Sequence, residues 1–501
     1  MPPPLPYRTR SSSPDDPVMR HALPLALLAA LAAAPPARQS PYAVEAPAPA
    51  GFDRAAAAAA TLAHLEALIP LDTRNPPGNE MLTARYLERA LAGVPGVTTE
   101  VLDVGDNRAN FVARLAATSP GAPPVLVLGH MDVVGFQEAN WSTAPLTPTR
   151  RDGYLYGRGA IDDKGMLAAA AAVLVQLAAR RDALQRDVIL LATAAEEGGP
   201  AVGVDWVLEH RPDVLGGAQF ALNEGGRVRL SDGVVRTVNV QTTEKVYYEV
   251  AAVAAGPSGH GSVPLPDNAL AALARAAARV HDWRAPVALN ETTRVYFRRM
   301  ASIEEDPLLR GAMAVLGAAE PPEPAALEAA AQVAARDPFL DAILRTGQSL
   351  TVLDGGFRAN VIPSEGRATF NVRTVPGDDV RAVVRRMQEV GGEPSVRFEL
   401  QGEPRSSPPP SPVGTPLFRA LEEASRAMAP AALVVPFMST GATDGAALRA
   451  AGIPTYGILP FPLELEDERR LHGDDERVPL EALGWGAEYL YRTLAAVALG
   501  S

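Results

Sequence analysis

From Asp53 onward the apolar positions of the chain switch repeatedly between two periods. DRAAAAAATLAHLEALI (53–69) and NEMLTARYLERALAGV (79–94) carry apolar residues at helical spacing. TTEVLDV (98–104) and NFVARLA (110–116) read as strands, and PPVLVLGHMDVV (123–134) is apolar on both faces, as a central strand is. A long helix over MLAAAAAVLVQLAARRDAL (166–184) precedes a second doubly apolar strand, DVILLATAAEE (187–197). AVGVDWVLEHR (201–211) is helical and QFALNEGG (219–226) strand-like. Buried strands alternating with helices predict an α/β sandwich around a mixed, largely parallel sheet.

The pattern changes near Thr243. KVYYEVAAVA (245–254) alternates as a half-exposed strand, followed by a helix over 268–283. Strands at 349–356, 366–375 and 395–402, with a helix over 379–390, complete a β-α-β-β-α-β order, that of a small ferredoxin-like α+β unit. A helical, Ala/Glu-rich insertion over about 301–345 interrupts it, and SSPPPSP (406–412) predicts a stiff connection back. From Thr415 the α/β pattern resumes, with strands around ALVVPF and PTYGIL and a last helix from Pro479. The expected organisation is a catalytic domain in two parts, 52–243 and 413–498, with an inserted domain at 244–412.

Residues 1–50 predict an address rather than a fold. A Pro/Ser-rich stretch precedes Arg20-His21, an apolar run from Ala22 to Ala34 and then small residues, the layout of a secretory signal, with Met19 as an alternative start. Export, to the periplasm or outside the cell, is the expectation, with the signal either cleaved or retained as an anchor. No other run is long and apolar enough to span a bilayer. Net charge is −12, with no dense Lys/Arg cluster, so nucleic acid is not an expected partner. The chain has no cysteine, which excludes thiolate metal sites, disulfides and cysteine nucleophiles. Any metal must be held by His, Asp and Glu.

Such residues recur at strand ends. His130 and Asp132 lie two apart, on one side of a strand end, where an imidazole could bind metal and the carboxylate orient it. On its own an H-x-D pair is weak evidence, since a buried histidine beside an Asp is more often structural. Asp162-Asp163 stand immediately before a helix, where one acid suffices for capping, but a carboxylate can also bridge two cations. Glu196-Glu197 end a buried strand, Glu224 lies in another, and His472 sits in a polar loop before the last helix. Convergence at strand ends is where ligands bind in open α/β sheets. Nitrogen and oxygen ligation with two histidines suits zinc, with cobalt or manganese as alternatives.

The ordered motifs GHMDVV, Trp141 to Pro145, DGYLYGRGAIDDKG, AAEEGG and NEGG resemble the zinc aminoacylase/carboxypeptidase metallopeptidase family, most nearly its carboxypeptidase S branch. The resemblance runs from about Asp53 to the C-terminus. It implies two zinc ions bridged by Asp162, one completed by His130 and Glu224, the other by Glu197 and His472. Glu196 would be the general base and Asp132 the residue orienting His130. It further implies that His260, in GPSGHGSVP, stabilises the oxyanion, from the partner subunit in dimeric relatives. Asn360 and Arg373 would bind the reacting carbonyl and the substrate carboxylate, and Gly441 and Thr443 would belong to a substrate-carboxylate loop. The inserted domain would act as a lid and homodimerisation domain, and the substrates would be short peptides or N-acyl amino acids. A di-zinc aminopeptidase, an inactive metal-binding homologue and a calcium-binding scaffold are the competing readings; two histidines among the ligands argue against calcium.

Overall fold

A computed structural model of the chain describes residues 40–405 and 407–499. The expected signal segment lies almost wholly outside them.

The large sheet has eight strands in the order Leu433–Ser439, Val234–Glu244, Thr455–Leu463, Phe220–Ser231, Val125–His130, Val188–Thr193, Arg108–Leu115, Val97–Gly105. Its centre is parallel, Val125–His130 pairing in that sense with both neighbours, while the Val97–Gly105 edge is antiparallel. The mixed sheet is thus as expected. Every residue of Val125–His130 and Val188–Thr193 is buried because both faces are covered. Val125, Val127, Val188 and Leu190 pack into the core under helices Arg54–Leu68, Lys164–Ala178 and Leu480–Ala498. Leu126, Leu128, Ile189 and Leu191 face the other way, towards Val204, Val207 and Leu448.

Strand Val246–Ala255 belongs to a second, four-stranded antiparallel sheet, ordered Gly347–Gly355, Glu365–Thr374, Val246–Ala255, Val396–Gln401. Helices Ala269–Asp282 and Val380–Gly391 cover one face, burying Val250, Phe370, Val372 and Met387. This is the open-faced α+β unit that the pattern predicts.

Two features depart from the sequence reading. The strand Val234–Glu244 has no counterpart in it, because Thr237, Asn239, Gln241, Thr242, Thr243 and Glu244 look solvated yet are all buried. The helical insertion also starts earlier, at Glu291, where Asn290 and Thr293 form a capping box, and comprises Glu291–Met300, Pro307–Leu316, Pro324–Ala334 and Pro338–Leu344. Phe297, Met313, Leu316 and Leu340 share a core with Val435, Phe437 and Met438, so these helices cover the edge strand of the large sheet. The single residue between the two sheets, Lys245, donates to the carbonyls of Ala342 and Arg345.

Candidate metal centre

Register brings the expected ligands to one edge. His130 pairs with Thr193 at the ends of parallel neighbours, so Glu196 and Glu197 follow just beyond the same sheet edge. Ala195 takes φ 62°, and this left-handed residue turns the chain sharply between strand and acids. Glu224 lies two residues past Leu222, which pairs with Val127. The glycines of NEGG follow from packing: a Cβ on Gly226 would lie 2.2 Å from the carbonyl of Asn239 and 2.3 Å from that of Gly457. Asp162 stands ahead of helix Lys164–Ala178, joined to Asp163 by a cis peptide bond.

The carboxylate of Asp162 faces two histidines at once. Its Oδ1 is 2.9 Å from Nε2 of His130, and its Oδ2 is 3.2 Å from Nε2 of His472. That same Nε2 of His472 lies 3.1 Å from Oε1 of Glu197. Oε1 of Glu197 is buried and makes no aligned hydrogen bond. Asp162, Glu197 and His472 form one group of donors within 4.8 Å of one another, and His130, Glu196 and Glu197 a second. Glu224 is buried beside them but belongs to neither group.

Asp132 organises this edge more fully than expected. Its backbone carbonyl is 2.9 Å from Nδ1 of His130 and its carboxylate 3.5 Å from the same atom. The carboxylate also accepts the side-chain amide of Asn75 and the backbone N–H groups of both Glu196 and Glu197. Glu80, buried and paired with Arg108, accepts the N–H of Ala195. Glu80 and Arg108 escaped the sequence reading, since neither sits in a ligand-like motif.

Electrostatics record how crowded the edge is. Burial pushes the Glu224 carboxyl up to about 8, helped by the charge of Asp162. Burial likewise lifts Glu196 well above the ordinary range, with Glu224, Asp444 and Glu197 adding to it against His130. His472 is raised to about 10, chiefly by its contacts with Asp162 and Glu197. For His130 burial opposes the charged form, but Asp132, Asp162 and Glu196 outweigh it and raise the imidazole. Converging acids, Glu196 and Glu224 among them costly to ionise, with imidazole nitrogens between them and an unaligned buried oxygen on Glu197, are a donor set that fits divalent cations.

The remaining expected residues lie elsewhere. His260 lies in a two-stranded ribbon, Gly259–His260 against Val361–Ile362, where it pairs with Val361, and Asn360 directly precedes that second strand; both His260 and Asn360 are exposed. No hydrogen bond among the described residues links either side chain to the metal edge. Arg373 stacks 4.7 Å from the ring centre of Tyr247 and donates Nε–H to Asn371, without a carboxylate partner among the described residues. Gly441 and Thr443 are engaged internally: the Gly441 N–H binds Ser439, and the N–H and hydroxyl of Thr443 bind Glu244. In that loop it is Asp444 that faces the metal edge, accepting the Thr193 hydroxyl at 2.6 Å. Burial raises it to about 7, against the bond from Thr193.

A model of peptidase family M20/M25/M40 matches residues 126–496. The chain belongs to this family. It is 25% identical over 388 residues to human N-fatty-acyl-amino acid synthase/hydrolase PM20D1, covering 76% of this chain and 75% of that one. It is 27% identical to a probable carboxypeptidase S-like 2 of Dictyostelium discoideum, covering 74% and 71%. Among solved structures, an M20 family metallo-carboxypeptidase from Sulfolobus solfataricus superposes with a TM-score of 0.64 at 18% identity, covering 87% of this chain and 99% of that one. A dinuclear metal binding peptidase of the M20 family from Bacillus subtilis gives 0.55 at 18% identity, covering 89% and 99%. The family assignment makes this M20 member a metallo-hydrolase acting on amide bonds. No helix among the described residues is long and apolar enough to cross a membrane.

Proposed function

We propose that the protein is an exported di-zinc hydrolase that cleaves an amide bond next to a free carboxylate, in short peptides or N-acyl amino acids. The observation that carries this reading is Asp162, whose two oxygens each face a different histidine, with Glu197 beside the second. Asp162, His130 and Glu224 would hold one cation, and Asp162, Glu197 and His472 the other; bound there, they would supply Lewis-acid activation of the scissile carbonyl and of the attacking water. Glu196 takes a proton from that water as its oxygen bonds to the carbonyl carbon and the π electrons move onto the carbonyl oxygen. It then delivers the proton to the amide nitrogen as the C–N bond breaks, leaving a carboxylate and an amine. The family relatives support both substrate types: one is named for N-fatty-acyl-amino acids, others for carboxypeptidase activity.

Purified protein is expected to hold about two zinc ions per chain and to lose activity on chelation, regained with zinc, cobalt or manganese. Elemental analysis after zinc supplementation checks this; absence of bound transition metal would end the di-zinc reading.

Arg373 supports recognition of a free carboxylate, since it stacks on Tyr247 and its terminal N–H groups, without a partner among the described residues, suit a planar, bidentate acceptor. Arg373→Ala is expected to raise KM for substrates with a free carboxylate and to leave kinetics on their C-terminal amides nearly unchanged. An equal loss on both would assign Arg373 to the framework, and wild-type preference for a free amine would favour an aminopeptidase.

We take the small sheet and the two helices on it, within the inserted segment 244–412, as a lid that also mediates homodimerisation, the helices from Glu291–Met300 to Pro338–Leu344 staying packed on the large sheet. Strand Gly347–Gly355 is an edge of the small sheet, and Val352 and Leu353 on it are exposed. An unpaired apolar edge favours pairing with a second copy. Light scattering on the full chain reads the oligomeric state directly.

A further inference from the structure

The motif RRLHGDDERV contains one residue that the mechanism leaves idle. Glu476, four positions after His472, is fully buried. Its carboxylate accepts four donors, all from the loop that carries Asp162. Oε2 takes Nη1 of Arg158 at 2.8 Å and the N–H of Gly159 at 2.9 Å. Oε1 takes the N–H groups of Ile161 at 2.8 Å and Asp162 at 3.1 Å. Two donors per oxygen use the acceptor capacity of an ionised carboxylate in full. The other arm of Arg158 returns across the gap: Nη2 donates to the carbonyl of Gly473, next to His472, at 2.8 Å. The backbone carbonyl of Glu476 also accepts the N–H of Gly157.

These bonds join segments 314 residues apart in sequence, on either side of the small sheet and the helical insertion. The loop from Gly157 to Asp162 has no strand or helix of its own to satisfy these N–H groups. A fixed anion from the His472 segment satisfies them instead. Gly159 adopts φ +84°, and a Cβ there would meet Val133 at 2.9 Å, so the loop passes tightly beneath the metal edge.

We propose that Glu476, with Arg158 as its partner, is a positioning residue that sets the Asp162 carboxylate against His472 and so determines the affinity of the Asp162–Glu197–His472 cation site. This rests on the di-zinc reading. Glu476 touches no substrate; it acts through the backbone N–H of Asp162 and through the carbonyl beside His472. A neutral amide at this place must turn an NH2 group towards one pair of donors, releasing either the Ile161–Asp162 or the Arg158–Gly159 side. Groups that orient metal ligands from behind are typically worth about 10- to 100-fold in metal affinity or activity.

The test is cobalt(II) titration of chelator-treated full-length protein, followed by visible absorbance and by competition with a chromophoric chelator. Wild type is expected to bind two equivalents. In Glu476→Gln one equivalent should weaken by about 10- to 100-fold, and the other, which shares Asp162 but not His472, by less. Arg158→Lys, which keeps the charge but loses the fork joining Glu476 to Gly473, should weaken the same equivalent less, and it carries the test should Glu476→Gln fail to fold. Glu488→Gln is the control for general destabilisation: Glu488 is equally buried and ion-paired, to Arg54 and Arg492, away from the metal edge. It should lower Tm without changing either cobalt affinity. Two wild-type affinities in both Glu476→Gln and Arg158→Lys would overturn the proposal, as would an equal loss in Glu488→Gln. No cobalt bound by wild type would instead sink the di-zinc reading itself.

Discussion

Glu196→Gln is expected to keep both metals and to lose roughly 10²- to 10⁴-fold in kcat, the usual worth of a positioned general base. Glu197→Gln is expected to lose metal first and activity as a consequence. The two acids are adjacent, yet their surroundings differ. Oε1 of Glu197 is buried, 3.1 Å from His472 and without an aligned hydrogen bond. Glu196, partly buried as Glu197 is, shares a donor group with His130 and Glu197 but not with His472. The turn that holds them does not depend on either side chain, because Asp132 accepts both backbone N–H groups and Glu80 accepts that of Ala195. Each glutamine can therefore be expected to sit where its glutamate did, so the readouts separate proton transfer from ligation. Metal content by elemental analysis, alongside kcat and KM, decides it. If Glu196→Gln loses a metal while Glu197→Gln keeps both, Glu196 is the ligand and the division between the pair is reversed.

The parts of this arrangement that a sequence reader can find are those carried by local pattern. His130, Asp162 and Glu197 stand at the ends of apolar runs, where burial and chemistry are both visible in a few residues. His472 has no such run beside it: it stands out only as a histidine in a polar loop before the last helix, and its pairing with Glu197 comes from the resemblance to a family. What stayed hidden depends on partners distant in the chain. Glu80 and Arg108 look like ordinary surface charges in a helix approach and a strand start, and only the fold pairs them beneath the Glu196 turn. The strand Val234–Glu244 was invisible for a related reason: its buried Gln241, Thr242 and Glu244 side chains find their partners, Thr443, Thr292 and Arg449, elsewhere in the fold. The helices from Glu291 were legible as helices. That they cap the edge strand Leu433–Ser439, rather than extend the small sheet, is a tertiary fact with no local signature. Gly441 and Thr443 entered through resemblance to a substrate-carboxylate loop; that Ser439 and Glu244 bind their donors is visible only in the fold.

His260→Ala is expected to lower kcat by about 10²- to 10³-fold while changing KM little, as removal of a single oxyanion donor does elsewhere. The ring is prepared for that task. The backbone N–H of Ser262 donates to Nδ1 at 3.1 Å, and the Ser262 hydroxyl lies 2.7 Å from the same nitrogen. A nitrogen that accepts an N–H bond carries no proton, so in the neutral ring the hydrogen sits on Nε2, available to an acceptor outside the ribbon. The side chain is exposed, and its hydrogen bonds among the described residues are those to Ser262 alone. On the proposed function it would reach a reacting carbonyl through closure of the lid or from a partner subunit. A bond completed that late stabilises the transition state more than the bound substrate, and its loss appears in kcat. Ser262→Ala should give a smaller drop in the same parameter, because the backbone N–H still sets the tautomer while the hydroxyl no longer steadies the ring. Steady-state kinetics on one good substrate measures both variants. An unchanged kcat in His260→Ala would return His260 to an ordinary turn residue and leave the oxyanion to other donors.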